Sequence, residues 1–185
     1  MQELKLESGR PESLEGRLDK EIRCYDFLDE LGIEYFRCDH RDMNANTMED
    51  CLRIDAVLDA AVCKNLFLCN RQQTQFYLLM MPGDKVFKTK ELSNQINSAR
   101  LSFGTPEYME KYLDITPGSV SVLGLMNDRE NHVKLLVDSD LLGSEYIGAH
   151  PCVNTSSLKI RTSDIFGPIL QKTGHDMTVV TLKGE

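Results

Sequence analysis

Apolar residues recur at spacings of three and four from Leu14 through Leu18, Ile22, Tyr25 and Leu28 to Leu31. That stripe predicts an amphipathic helix over about residues 11–31, with Pro11 in its first turn and Gly32 at its end. Ile33 to Cys38 reads as a short strand. Thr47 suits the cap of a second helix, with Asp50 as its reciprocal partner and Leu52, Val57 and Leu58 as apolar contacts. Two apolar runs, Asn65 to Cys69 and Gln75 to Met81, have strand length. Asn70-Arg71-Gln72-Gln73 joins them as a hairpin, and Pro82-Gly83-Asp84 ends the second.

Thr89 to Ser98 reads as another helix, and Leu101 to Phe103 as a brief extended piece. Thr105-Pro106-Glu107 combines a hydroxyl cap, a first-turn proline and an acid beside the helix dipole. Thr116-Pro117-Gly118 makes a turn. Val120 to Leu125, Val133 to Val137 and Leu158 to Ile160 have strand character. A helical stretch follows from about Ser163 to Lys172, kinked or split by Pro168, and Met177 to Leu182 is β-rich. The order mixes βαβ-like and hairpin connections. It predicts an α/β fold, a single domain over residues 1–185 with a mixed β-sheet surrounded by helices.

Composition narrows the function. The 185 residues are 41% hydrophobic and 27% charged, values of a globular domain rather than a disordered chain. No apolar run approaches the ~18–20 residues that span a bilayer. The polar start, MQELKLESGRPESLEG, lacks the apolar centre of a secretory signal. A cytoplasmic protein without membrane contact is expected. The net charge is −8, and residues 1–60 hold all of the excess, with 8 basic and 16 acidic side chains. Such a balance argues against a nucleic-acid coat or a DNA-binding protein, though not against local contact to a few phosphates. Lys85, Lys88 and Lys90 are a candidate patch for that contact, or simply a solvated turn and helix start. The cysteines (24, 38, 51, 63, 69 and 152) contain no C-x-x-C pair, and the four histidines form no metal-ligand pattern. Reduced, partly buried thiols and no metal or other cofactor are expected.

Familiar catalytic signatures are missing: no phosphate loop, no G-x-G-x-x-G and no G-x-S-x-G elbow. Two places stand out. Lys64 enters a strand between Ala61-Val62-Cys63 and Asn65-Leu66-Phe67-Leu68. Buried there, its charge must meet an anion or lose its proton. It equally reads as a lysine snorkelling at a strand end. In Gly148-Ala149-His150-Pro151, the glycine lets backbone approach a ligand and the proline sets the turn. Most such turns are merely structural.

Four pieces together resemble the YbaK/ProX family, free-standing relatives of the editing domain inserted in bacterial prolyl-tRNA synthetases. They are Cys63-Lys64-Asn65-Leu66-Phe67-Leu68, Arg100-Leu101-Ser102-Phe103-Gly104, the stretch from Thr116 to Leu125, and Gly148-Ala149-His150-Pro151 with Asn154-Thr155 after it. The resemblance runs from about Ile33 to about Leu170. One departure is Val122, where the family commonly has proline.

The resemblance implies the family's mixed α/β fold and hydrolysis of mischarged tRNA. The ProX branch points to alanine on proline tRNA. The functional lysine falls on Lys64, and Asn65, Ser102, Gly148, His150 and Pro151 fall around the substrate. Lys64 would hold a terminal phosphate or the ester end. The Gly148–Pro151 turn would hold the aminoacyl group through its backbone, with His150 either a general base or a structural group. Partners would be the acceptor end of an aminoacylated tRNA and a prolyl-tRNA synthetase. Two alternatives stay open: a Cys-tRNA(Pro) deacylase of the YbaK type, and a non-catalytic module that docks on tRNA or a synthetase. A proline-shaped synthetase pocket cannot exclude alanine by size, since each missing methylene changes binding by only ~1–3 kcal/mol. A second, hydrolytic site removes the error, and an ester needs no strong nucleophile.

Overall fold

The computed structural model describes residues 3–43 and 47–184. Its strands divide between two sheets rather than one. A four-stranded antiparallel sheet holds β1 (Glu7–Ser8), β2 (Tyr35–Asp39), β7 (Tyr146–Ala149) and β8 (Ser156–Arg161), in the order β1-β2-β8-β7. The second holds β3 (Cys63–Asn70), β4 (Phe76–Pro82), β5 (Leu101–Phe103), β6 (Val133–Asp138) and β9 (Met177–Val180), in the order β5-β3-β4-β6-β9. This sheet is mixed: β5, β3 and β4 pair antiparallel, while β4–β6 and β6–β9 are parallel. The sheets meet where Ala61 bridges Ile147, its N–H donating to the Tyr146 carbonyl and its carbonyl accepting from Gly148.

The largest hydrophobic cluster joins Tyr35, Ile147, Leu158 and Ile160 of one sheet to Phe67, Phe76, Leu78, Met80 and Leu135 of the other. Helix α1 (Asp19–Glu30) adds Cys24, Tyr25 and Leu28, and α4 (Pro106–Leu113) adds Met109 and Leu113. The opposite face of the mixed sheet is covered by α3 (Thr89–Gln95), through Leu92. Helix α2 (Met48–Leu58) lays Ile54 and Leu58 over Cys38, on the outer face of the four-stranded sheet. Thr47 and Thr105 cap α2 and α4 through their hydroxyls, as their positions before apolar runs predict.

Three departures from the sequence reading have physical causes. The first helix begins at Asp19, not near Pro11. Residues 7–9 are pinned beside β2, where Gly9 N–H donates to the Tyr35 carbonyl. Arginines then hold the chain: Arg10 pairs with Asp26 and Asp29, Arg17 with Glu21 and Asp39, and Arg37 with Glu7 and Asp39. Residues 11–18 therefore form a loop that buries Pro11. The acidic helix is thus an integral wall of the core. Second, the run from Val120 to Leu125 is not a strand. Ser121 accepts from Leu123 N–H, and Val122–Asn127 forms a 3-10 helix with residues 122–125 buried. A short apolar run buried all round has no period to separate helix from strand. Third, Gly148 and Ala149 end strand β7 instead of forming a turn; the bend begins after them. Near the C-terminus, α5 (Thr162–Asp164) and α6 (Leu170–Thr173) are joined by a π-helical turn over Ile165–Ile169 that holds Pro168. The widened turn accommodates a residue with no N–H to donate.

Candidate active site

The register of β3 creates the site. Gly83 N–H donates to the Val62 carbonyl, and Asn70 N–H to the Gln75 carbonyl. Even-numbered residues of β3 therefore turn their main-chain groups toward β4, and odd-numbered residues turn theirs away. On that far side the Ala61 carbonyl accepts from Gly148, and the Phe67 carbonyl accepts from Gly104. Between these bonds the main-chain groups of Cys63 and Asn65 have no backbone partner among the described residues. A stretch of open strand edge results.

Side chains alternate on the same strand. Cys63, Phe67 and Cys69 face the main core, while Leu66 and Leu68 face α3. Asn65 and Cys63 thus share a cavity with Ala61, Val62, Gly148, Ala149 and His150. One face of α2 closes it, through Cys51, Ile54, Asp55 and Leu58, and Ser157 of β8 also lines it. The volume is about 180 Å³. Typical small-molecule sites run ~300–1,000 Å³, so this hollow suits a group of amino-acid size rather than a whole nucleotide. A larger hollow, about 820 Å³, lies by the N-terminal loop, but its Arg10, Arg17 and Arg37 are already ion-paired.

The polar groups in and behind the cavity wall are unevenly satisfied. Asn65 Oδ1 is buried and accepts no hydrogen bond, an arrangement that costs ~1–3 kcal/mol unless a ligand supplies a donor. His150 Nδ1 lies 2.9 Å from the Ser156 carbonyl. A carbonyl only accepts, so Nδ1 carries the hydrogen and, in the neutral ring, Nε2 keeps its lone pair. Burial lowers the His150 pKa, against the Ser156 carbonyl and Asp55, which act the other way. Behind the wall, fully buried His40 places Nε2 2.9 Å from Ser157 Oγ. Burial and the neighbouring His150 push His40 down to about 4. Burial raises the Asp55 carboxyl, opposed by His150. Cys63 is pushed up to about 12 by burial, so it is a thiol and no nucleophile.

Of the residues singled out from sequence, Asn65, Gly148 and His150 come together. Lys64 does not line the cavity. Alternation turns it to the opposite face of β3, where its ammonium donates to the Lys85 carbonyl. It has no acidic partner among the described residues. Ser102 is exposed on β5, and Pro151 is buried in the bend beyond the wall. The Gly148 amide is committed to Ala61, so it cannot serve a substrate. Lys85 is withdrawn from the basic patch by Asp138, Asp140 and the Leu182 carbonyl. The sequence reading missed Asp55, Ser157 and His40. The four-residue spacing of Cys51 and Asp55 was the available signal for Asp55; His40 and Ser157 meet only through the pairing of β2 with β8.

The family model for the aminoacyl-tRNA editing domain matches residues 42–166, two-thirds of the chain and every residue of the cavity wall. The chain belongs to the aminoacyl-tRNA editing domain family. It is 31% identical over 155 residues to the prolyl-tRNA editing protein ProX of Acetoanaerobium sticklandii, covering 84% of this chain and 93% of that protein. It is 29% identical over 169 residues to prolyl-tRNA synthetase associated domain-containing protein 1 of Xenopus laevis, covering 89% and 97%. A crystal structure described as a candidate trans-editing enzyme for prolyl tRNA synthetase superposes with a TM-score of 0.64 at 15% identity, over 89% of this chain and 98% of that one. That likeness shows the shared fold. The cavity lining falls within the family span, between α2 and β8; β1, α1 and β2 precede it. No group of three or more metal-ligating side chains occurs among the described residues, and no helix among them is long and apolar enough to cross a membrane.

Proposed function

We propose that this protein is a trans-editing hydrolase that deacylates mischarged proline tRNA, with alanine as the amino acid removed. The carrying observation is the cavity of about 180 Å³ at the open edge of β3, where a buried carboxamide oxygen awaits a donor. The likeness to ProX supports the substrate class.

The aminoacyl group enters between α2 and Gly148–His150. Water attacks the ester carbonyl, the bond to the terminal ribose oxygen breaks, and the proton from water passes to that oxygen. Amino acid and free tRNA leave. His150 lines the cavity and, with Nδ1 held by the Ser156 carbonyl, keeps a lone pair on Nε2 that accepts from the attacking water and orients it. The unpaired N–H groups of Cys63 and Asn65 are the nearest main-chain donors for the developing oxyanion. Lys64, one residue from Asn65 on the reverse face, offers its unpaired charge to a terminal phosphate as the strand crosses the edge of β3. The rest of the protein's role is positioning.

Deacylation of tRNA(Pro) charged with alanine, cysteine, serine or proline tests the reading. Alanine should be released fastest and proline spared. Preferential loss of cysteine would move the chain to the YbaK-type reaction. Binding of tRNA without release of any amino acid would make it a docking module.

A further inference from the structure

The cavity's polar character is lopsided: its side chains accept hydrogen bonds far more than they donate. Asp55 sits on the cavity face of α2, one turn from Cys51 and Leu58, and half-buried. No lysine or arginine pairs with it among the described residues; its electrostatic neighbours are His150 and the Cys51 thiol. Asn65 lines the same hollow, and its buried Oδ1 has no hydrogen-bond partner among the described residues. Ser157 Oγ adds a hydroxyl held by His40. A carboxylate and an orphan amide oxygen in a small cavity want a cation bearing several N–H donors. The ester carbonyl of an aminoacyl-tRNA cannot satisfy them, because it too only accepts. Its α-amino group can: such amines have a pKa of ~7.7–8.0 and are largely ammonium at neutral pH.

We infer that Asp55 and Asn65 form a receptor for the free α-ammonium of the substrate, so that the site takes aminoacyl esters and rejects those whose nitrogen is acylated. This rests on the deacylase reading and adds a rule of substrate choice to it. An N-acyl group removes the charge and two of the three donors. It leaves Asp55 unpaired beside an amide and leaves Asn65 Oδ1 unsatisfied, and sites built to pair a polar group discriminate strongly against ligands that lack it. The Cys51–Leu58 face of α2 also leaves little room for the added acyl group. The protein would thus act on freshly charged tRNA and leave peptidyl and N-formylated esters intact. Asp55 is the specificity-determining residue; nothing in the chemistry of ester hydrolysis itself calls for a carboxylate there.

The test compares Ala-tRNA(Pro) with N-acetyl-Ala-tRNA(Pro), using wild-type protein, Asp55→Asn and Asp55→Ala. Wild type should prefer the free amine by ~100-fold in kcat/KM. Asp55→Asn should lose about 30-fold on the free amine and leave the acetylated substrate unchanged, narrowing the ratio. In parallel, calorimetry measures binding of a non-hydrolysable alanyl-amide analogue of the terminal adenosine, with and without an N-acetyl group. Deacylation with equal rates on both substrates, or a ratio unchanged by Asp55→Asn, overturns the ammonium receptor and leaves the deacylase standing. Selective binding of the free-amine analogue, lost in Asp55→Asn but unaccompanied by hydrolysis, upholds the receptor and overturns the deacylase. Analogue binding blind to the acetyl group contradicts the receptor whatever the hydrolysis shows.

Discussion

At the scale of single residues, neighbours on one strand have different work. Asn65 faces the cavity and Lys64 faces away, so their substitutions should separate kinetically. Asn65→Ala should lower kcat, whereas Lys64→Ala should raise KM and reduce the slope of log binding constant against log salt by roughly one. Single-turnover rates and tRNA titrations at several salt concentrations measure both effects. A kcat effect of Lys64→Ala as large as that of Asn65→Ala would put the lysine at the ester after all. The motif Cys63-Lys64-Asn65 was legible in the sequence, but only the register of β3 shows which side chain meets the cavity. The neighbouring pair of buried His40 and half-buried His150 makes a further prediction. Both have lowered pKa values, so the unfolded chain binds protons that the native state refuses. The native state is at full strength above about 6.5, the ordinary histidine value, and loses stability as pH falls toward and through the folded value of about 4 for His40. The loss from His40 alone should reach on the order of 3 kcal/mol. Asp39, for which burial is outweighed by Arg17 and Arg37 so that its pKa falls to about 2, fails only at lower pH. Urea unfolding of wild type and His40→Gln between pH 7 and 4 would show it: the variant's curve should be flatter across that window.

At the scale of elements, α2 is the outer wall of the site. It packs on the four-stranded sheet through a small cluster, Ile54 and Leu58 over Cys38 with Leu4, Val57 and Ala60 beside them, and its start depends on Thr47 accepting from Asp50 N–H at 3.1 Å. Thr47→Ala should cost about 1 kcal/mol. The α2 amides should then exchange with solvent faster than those of β4, with a matching rise in KM; unchanged α2 exchange would count against the cap. Opposite it, Gly104 is needed as glycine, because a Cβ there would run into the buried Phe67 ring that stacks on Phe76. Helix and strand signals gave most of these elements, including the Thr47 and Thr105 caps and the β3–β4 hairpin. The failures were positions where tertiary partners outweigh local pattern. Pro11 is buried in a loop held by arginine–carboxylate pairs, and the Val122 run coils because it is enclosed on all sides. Strand β7 was hidden in Tyr146-Ile147-Gly148-Ala149, too short to show alternation and defined by its partners β8 and Ala61.

At the scale of the molecule, charge and topology agree. Part of the acidic excess of residues 1–60 is neutralised locally, where Glu21, Asp26, Asp29 and Asp39 pair with Arg10, Arg17 and Arg37 and tie the N-terminal loop to α1 and β2. The remaining chain is neutral, so tRNA contact depends on a few local cations and should be modest and strongly salt-dependent. The division of the strands into two sheets, joined at Ala61 and Ile147, could not be read from element order, because a mixed order is equally compatible with one sheet. That junction is also what opens the edge of β3 beside Gly148 and His150. The central claim is that the ester is hydrolysed in the cavity at this junction, and the deacylation rate of Ala-tRNA(Pro) by Asn65→Ala tests it most directly. The account predicts a loss on the order of 100-fold, because the aminoacyl group is no longer anchored in line for attack, with a melting temperature no lower than the wild type's; hydrolysis at the wild-type rate would contradict it.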